Sequence, residues 1–152
     1  MPPLRAAFRL APAESRKEVI DVLLDSLLAA ATANFKKGDF QPALDYLKEA
    51  GALASESPEI RAELVVTLAG FGASLLTQGR FTAAVSAFEE AVKVAPANVN
   101  AHIGLARAFF SSGDVTRAYG AILNALDLDP ASAEAQTLFF NLLSPLGEGL
   151  PE

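Results

Sequence analysis

Residues 65–96, VVTLAGFGASLLTQGRFTAAVSAFEEAVKVAP, and residues 99–130, VNAHIGLARAFFSSGDVTRAYGAILNALDLDP, are one pattern written twice at a spacing of 34. Leu68, Phe71, Gly72, Leu75, Gly79, Phe81, Ala84, Phe88, Ala91 and Pro96 stand over His102, Leu105, Ala106, Phe109, Gly113, Val115, Ala118, Ile122, Ala125 and Pro130. Each line reads as a helix, a tight turn at glycine and a second helix ended by proline. Gly79 and Gly113 fall where a left-handed residue closes a helix at little steric cost, and Asp114 is placed to cap the next one. Small residues at Gly72, Ala106, Ala84 and Ala118 let the paired helices approach closely. Val65–Leu76 and Val99–Phe110 are apolar on more than one face, so each must be covered on two sides. A pair of this kind cannot bury its apolar surface alone and requires stacked neighbours.

A period near 34 with apolar-x2-apolar-small-x2-apolar, then Ala-x3-apolar, then Pro resembles the tetratricopeptide repeat family. The resemblance implies an all-α fold, a right-handed superhelical stack of antiparallel helix pairs used as a protein-binding scaffold. Working outward, Gly38, Phe40, Ala43, Leu47 and Ala50 align with Gly79, Phe81, Ala84, Phe88 and Ala91 at an offset of 41, seven residues longer than the second spacing. Seven residues are two helical turns, and Ser57 with Pro58 supplies an N-cap and first turn, so the insertion is assigned to an early helix start at 58. Ser15 and Glu18 form a capping-box pattern that starts a helix near Arg16, running to Lys37. Residues 4–13 match 88–97 on the apolar positions, which reads as a partial or capping helix within 1–13. Ser132 can cap a last helix through Leu143, ended by Pro145. The expected organisation is a single domain with repeats at 24–57, 58–97 and 98–131, a C-terminal helix within 132–144 and a tail at 145–152.

With 152 residues the chain is long enough to bury most of its unfolded surface, and with no cysteine it has neither disulfides nor thiolate chemistry. A net charge of −6 argues against nucleic acid and anionic lipid as partners. The longest uncharged run, Leu64 to Gly79, is sixteen residues and falls short of the roughly 20 needed for a membrane span, so it reads as a buried helix. Arg5, Arg9, Arg16 and Lys17 interrupt any leader-like stretch, and a cytoplasmic location is the expectation. The hydrophobic content of 51% suggests apolar surface kept for a partner or a second copy.

Catalytic chemistry is sparse. The sequence holds one histidine and no Gly-rich phosphate loop, paired-histidine spacing or Gly-x-Ser-x-Gly elbow, so no enzyme activity, metal or cofactor is expected. His102 occupies the helix face that Leu27 and Leu68 occupy in the other units and reads as a packing residue; Asp127 and Asp129 read as solvated surface.

In the family the first helix of each unit lines a concave groove. Carried over by position, the groove set is Leu28, Thr32 and Phe35; Val66, Ala69, Gly70, Ala73 and Leu76; Ile103, Gly104, Arg107 and Phe110. This set is apolar, with Phe35, Leu76 and Phe110 equivalent in all three units and Gly70 and Gly104 in two. The glycines fit either close helix packing or close approach of a ligand backbone. Some family members grip a chaperone's terminal carboxylate through Lys, Asn and Arg; here the matching places hold Leu28, Thr32, Gly70, Asn100 and Gly104, so that clamp is absent. The expected partner is a protein or peptide with an apolar or amphipathic segment, bound by an adaptor or chaperone-like module similar to small bacterial chaperones with apolar grooves. Two alternatives stand beside it: a regulatory or substrate-docking segment of a larger enzyme, and a self-assembling scaffold. The last rests on Phe139, Phe140, Leu142 and Leu143, an apolar surface on the C-terminal helix suited to a homo-oligomer.

Overall fold

The computed structural model describes residues 15–147; the expected helix within 1–13 and the end of the tail lie outside them. Seven helices are present among the described residues: α1 (Arg16–Lys37), α2 (Phe40–Leu53), α3 (Pro58–Thr77), α4 (Phe81–Val94), α5 (Val99–Ser111), α6 (Val115–Leu128) and α7 (Ala133–Gly147). The fold is all-helical, built of antiparallel helix pairs, and its described residues divide into two compact units on either side of the Thr67–Leu68 bond.

One turn recurs within the pairs. Gly38, Gly79 and Gly113 carry φ of 80°, 71° and 85°, the left-handed region in which a side chain would be strained. At each, the next residue's amide returns to a carbonyl of the preceding helix: Asp39 to Asn34, Arg80 to Leu75 and Asp114 to Phe109, at 3.0, 2.9 and 2.9 Å. This is the Schellman closure, which satisfies carbonyls the helix end would otherwise leave unpaired. The starts of the helices vary more. Asp114 accepts from the Arg117 amide at 3.0 Å, Asn98 from that of Ala101 at 2.9 Å and Ser132 from that of Ala135 at 3.3 Å. Ser57 accepts from Ile60 at 3.4 Å ahead of Pro58, where α3 begins. Ser15 makes no side-chain capping bond, so the capping box read at Ser15 and Glu18 does not form, although α1 begins at Arg16. The last helix also departs from expectation, continuing past Pro145 to Gly147. A proline so near a helix end removes only its own N–H, one bond of the ladder, and a short extension survives that loss.

In the first unit Leu23 and Leu27 of α1, Ala50 of α2 and Ile60 of α3 form a core, with Leu24, Leu28 and Tyr46 packed against it. In the second unit a continuous core runs from Leu75 and Phe88 through Ile103, Leu105 and Phe109 to Ile122, Leu138 and Leu142. Helix α3 is long and apolar enough to cross a membrane by length and composition alone. Of its buried residues, Ile60 belongs to the first core and Leu75 to the second.

The second core is organised by the Phe88 ring. A Cβ on Gly72 would lie 2.6 Å from that ring, and one on Gly104 would overlap it. Gly72 and Gly104 are therefore the flat walls of a slot for one aromatic side chain. Among the alternatives for Gly104, close packing is the one realised.

Candidate functional site

The surface to be judged in the second unit is the side of α3 and α5 that the core leaves free. Helix α5 packs against α4, α6 and α7, so little of its circumference reaches solvent. Ile103, expected in the groove, is 2% exposed and belongs to the core. Gly104 is buried against Phe88. Both are corrections to the groove set: the family's positions placed them toward the groove, and the helices packed against α5 cover them. What remains on α5 is Arg107 and Phe110, the latter 40% exposed. On α3, Ala73 is exposed, Ala69 and Gly70 are half-buried, and Leu76 is half-buried against the core.

Arg107 is not a free cation. Its guanidinium reaches Glu134 in the first turn of α7 at 3.0 Å, with both side chains about half exposed. An exposed pair adds little stability, yet it neutralises the one charged group of this set and leaves the rest of the surface apolar. Phe110 lies within the Schellman turn, its carbonyl accepting from the Gly113 amide at 3.0 Å. Leu76 and Phe35 hold the same place, accepting from Gly79 at 3.0 Å and from Gly38 at 2.9 Å.

The first unit presents its members separately. Leu28 is half-buried against the α1–α2 core, Thr32 is exposed, and Val66 is 53% exposed. Phe35 is half-buried and meets Phe40 edge to face, with centroids 5.7 Å apart. The recurrence of an apolar residue at Phe35 thus has a structural component, since this ring braces the turn as well as facing outward.

The C-terminal apolar set divides too. Leu142 is fully buried, and Phe139 is half-buried against the core and edge to face with Tyr119 at 6.0 Å. Phe140 and Leu143 alone of the four are exposed. Four apolar residues within five positions reach round most of the helix, so their spacing alone does not separate its covered side from its free one.

His102 is buried, and its ring Nε2 pairs with the Pro96 carbonyl at 2.8 Å, strapping the start of α5 to the loop before it. No group of acidic, histidine or cysteine side chains among the described residues could hold a metal ion. A depression of about 720 Å³ between α4 and the α5–α6 turn is lined by Thr82, Ser86, Glu89, Thr116 and Arg117. Its arginine is already engaged, 2.6 Å from Asp114 and stacked over Phe109 with 4.5 Å to the ring centroid. Asp114 is held below the usual carboxylate value, first by the Arg117 amide and then by its guanidinium.

These helix pairs and their shared turn agree with the family comparison. Residues 70–133 match the tetratricopeptide repeat family model. Solved tetratricopeptide domains share the fold. The second such domain of human RPAP3, in complex with the HSP70 peptide SGPTIEEVD, is 15% identical with a TM-score of 0.57, covering 81% of this chain and 97% of that one. The Sgt2 domain from Aspergillus fumigatus is 18% identical with a TM-score of 0.58 and 85% of each chain covered. An O-GlcNAc transferase mutant from Thermobaculum terrenum is 20% identical with a TM-score of 0.55, covering 82% of this chain and 22% of that enzyme, so tetratricopeptide folds occur inside catalysts as well. No curated protein matches the chain.

Proposed function

We propose that this tetratricopeptide chain is a non-catalytic binding module that takes an apolar or amphipathic peptide segment on the free side of its first helices. In the second unit that surface is Ala69, Gly70, Ala73 and Leu76 of α3 with Arg107 and Phe110 of α5. The observation that carries the reading is Phe110, a large apolar side chain left 40% exposed beside an arginine already paired with Glu134. Leu28, Thr32, Phe35 and Val66 are the equivalent surface of the first unit, and Val66 repeats the exposed apolar character there.

The RPAP3 neighbour holds a peptide ending in Glu-Glu-Val-Asp. Such a tail brings three carboxylates and its own terminus, and each needs a cation or an amide donor on desolvation. This surface offers only Arg107, whose charge is compensated, so an acidic tail is disfavoured and an apolar segment favoured. Burial of apolar area would drive the association.

The test uses peptides selected from a random library on the wild-type protein. Phe110→Glu should keep wild-type helical content and lose capture of those peptides, while wild-type capture survives raised salt because apolar burial is not screened. Capture undiminished in a folded Phe110→Glu variant would overturn the reading, as would selection of peptides rich in Asp and Glu whose binding collapses in salt.

A further inference from the structure

Helix α7 repeats α5 at the same spacing of 34, and comparing their burial shows what α7 lacks. Ala101, Gly104 and Ala108 are buried on α5, and their counterparts Ala135, Leu138 and Leu142 are buried on α7. That shared side faces the preceding helices. His102, Ile103, Ala106 and Phe109 are also buried on α5, whereas Gln136, Thr137, Phe140 and Leu143 are exposed on α7. On α5 the side holding Phe109 is covered by α6, whose Arg117 lies over the Phe109 ring. On α7 no described helix takes that place.

The open side carries large apolar residues where its counterparts are small or charged. Phe140, 66% exposed, stands where Gly72 and Ala106 are, and exposed Leu123 of α6 stands where α4 has Glu89. The exposed side of α7 thus sets Phe140 and Leu143 beside Gln136 and Thr137. It is also uncharged: from Ala133 to Leu143 the one ionised side chain is Glu134, already paired with Arg107. A chain of net charge −6 therefore presents an uncharged face here, with Phe140 and Leu143 at its apolar centre, which a second copy can meet without like-charge repulsion.

We infer that this face is a self-association site, with α7 of a second copy taking on α7 the place that α6 takes on α5. Paired helices of this fold run antiparallel, and a two-fold axis across α7 generates an antiparallel partner, so one symmetric contact fills both open places. The bulk of Phe140 selects the same partner. A second helix of the repeat type brings a large residue, such as Phe88 or Ile122, against a glycine or alanine, and Phe140 leaves no room for one. An antiparallel α7 sets Phe140 opposite Gln136 and Leu143 opposite Ala133, each large side chain against a smaller one.

Sedimentation equilibrium over a wide concentration range, with circular dichroism to confirm folding, tests the site. The wild type should reach the mass of two copies and no more, and Phe140→Glu should raise the dissociation constant at least about tenfold with helical content unchanged. Leu128→Glu, at an exposed apolar position on the far end of α6, serves as the control and should leave the mass unchanged. Because the chain has no cysteine, Gln136→Cys adds a single thiol beside the axis, and a short bismaleimide should join two such chains in high yield. A wild type that stays monomeric throughout, a dimer indifferent to Phe140→Glu, or a species growing beyond two copies with concentration would each overturn the proposal; the last would signify head-to-tail assembly.

Discussion

Phe88 and Ile122 hold the same place 34 residues apart, each buried in the second core, and their surroundings differ in compensation. The larger residue has glycine at both walls, Gly72 and Gly104; the smaller has Ala106 and Leu138 at the equivalent positions. Interiors are close-packed, so what a repeat keeps is the volume of a layer rather than the identity of a residue. The glycines of α3 and α5 are thus read from the aromatic ring they hold.

Emptying the Phe88 place should have the largest effect. Phe88→Ala removes a buried ring between two residues too small to collapse inward, and an unfolding midpoint in denaturant should report a loss of about 3–5 kcal/mol. Filling the slot from the other side should cost less. Gly104→Ala forces the ring or α5 to shift, an overpacking cost of about 1–3 kcal/mol. If the compensation is real, the double variant with Phe88→Leu should recover part of that loss, a non-additive result that a double-mutant cycle detects. Ile122→Phe should cost a similar amount, because Ala106 and Leu138 offer no slot; a neutral outcome would show that the two places do not trade volume.

This comparison also marks how far the sequence could be read. Spacing alone located the glycine turns, the Asp114 cap and the helices, because those depend on residues close in the chain. Carrying the family's groove positions over assigned Ile103 and Gly104 to the groove, and that carry-over fails where distant helices cover the angle. The signal was present: a glycine in mid-helix 16 residues beyond a phenylalanine, with a second glycine 16 before it, describes a slot. It becomes interpretable only once α3, α4 and α5 are placed together. The same limit applied to α7, where Leu142 and Phe140 are alike in sequence and opposite in burial.

A smaller effect is expected at the α5–α6 turn. The Asp114 carboxylate is held below its ordinary value by the Arg117 amide and guanidinium, so it binds protons less readily folded than unfolded. Its stabilising contribution is therefore present above the unfolded carboxylate range and is lost as pH falls through the lowered folded value. Asp114→Ala should melt below the wild type at neutral pH, and the gap should narrow in acid. Ser15→Ala, at a residue that makes no capping bond, should show no gap at either pH.

Little effect on stability is expected at Phe110 either, where Phe110→Glu should stay within about 0.5 kcal/mol of wild type, as surface substitutions do. Its consequence should appear in binding instead. The most direct measurement is a map of amide chemical shifts as a library-selected apolar peptide is titrated into the wild-type protein. In the second unit the account predicts shifts concentrated at Ala69, Ala73, Leu76, Arg107 and Phe110. Shifts confined to the open side of α7, or to the depression beside Arg117, with those residues unmoved would contradict it.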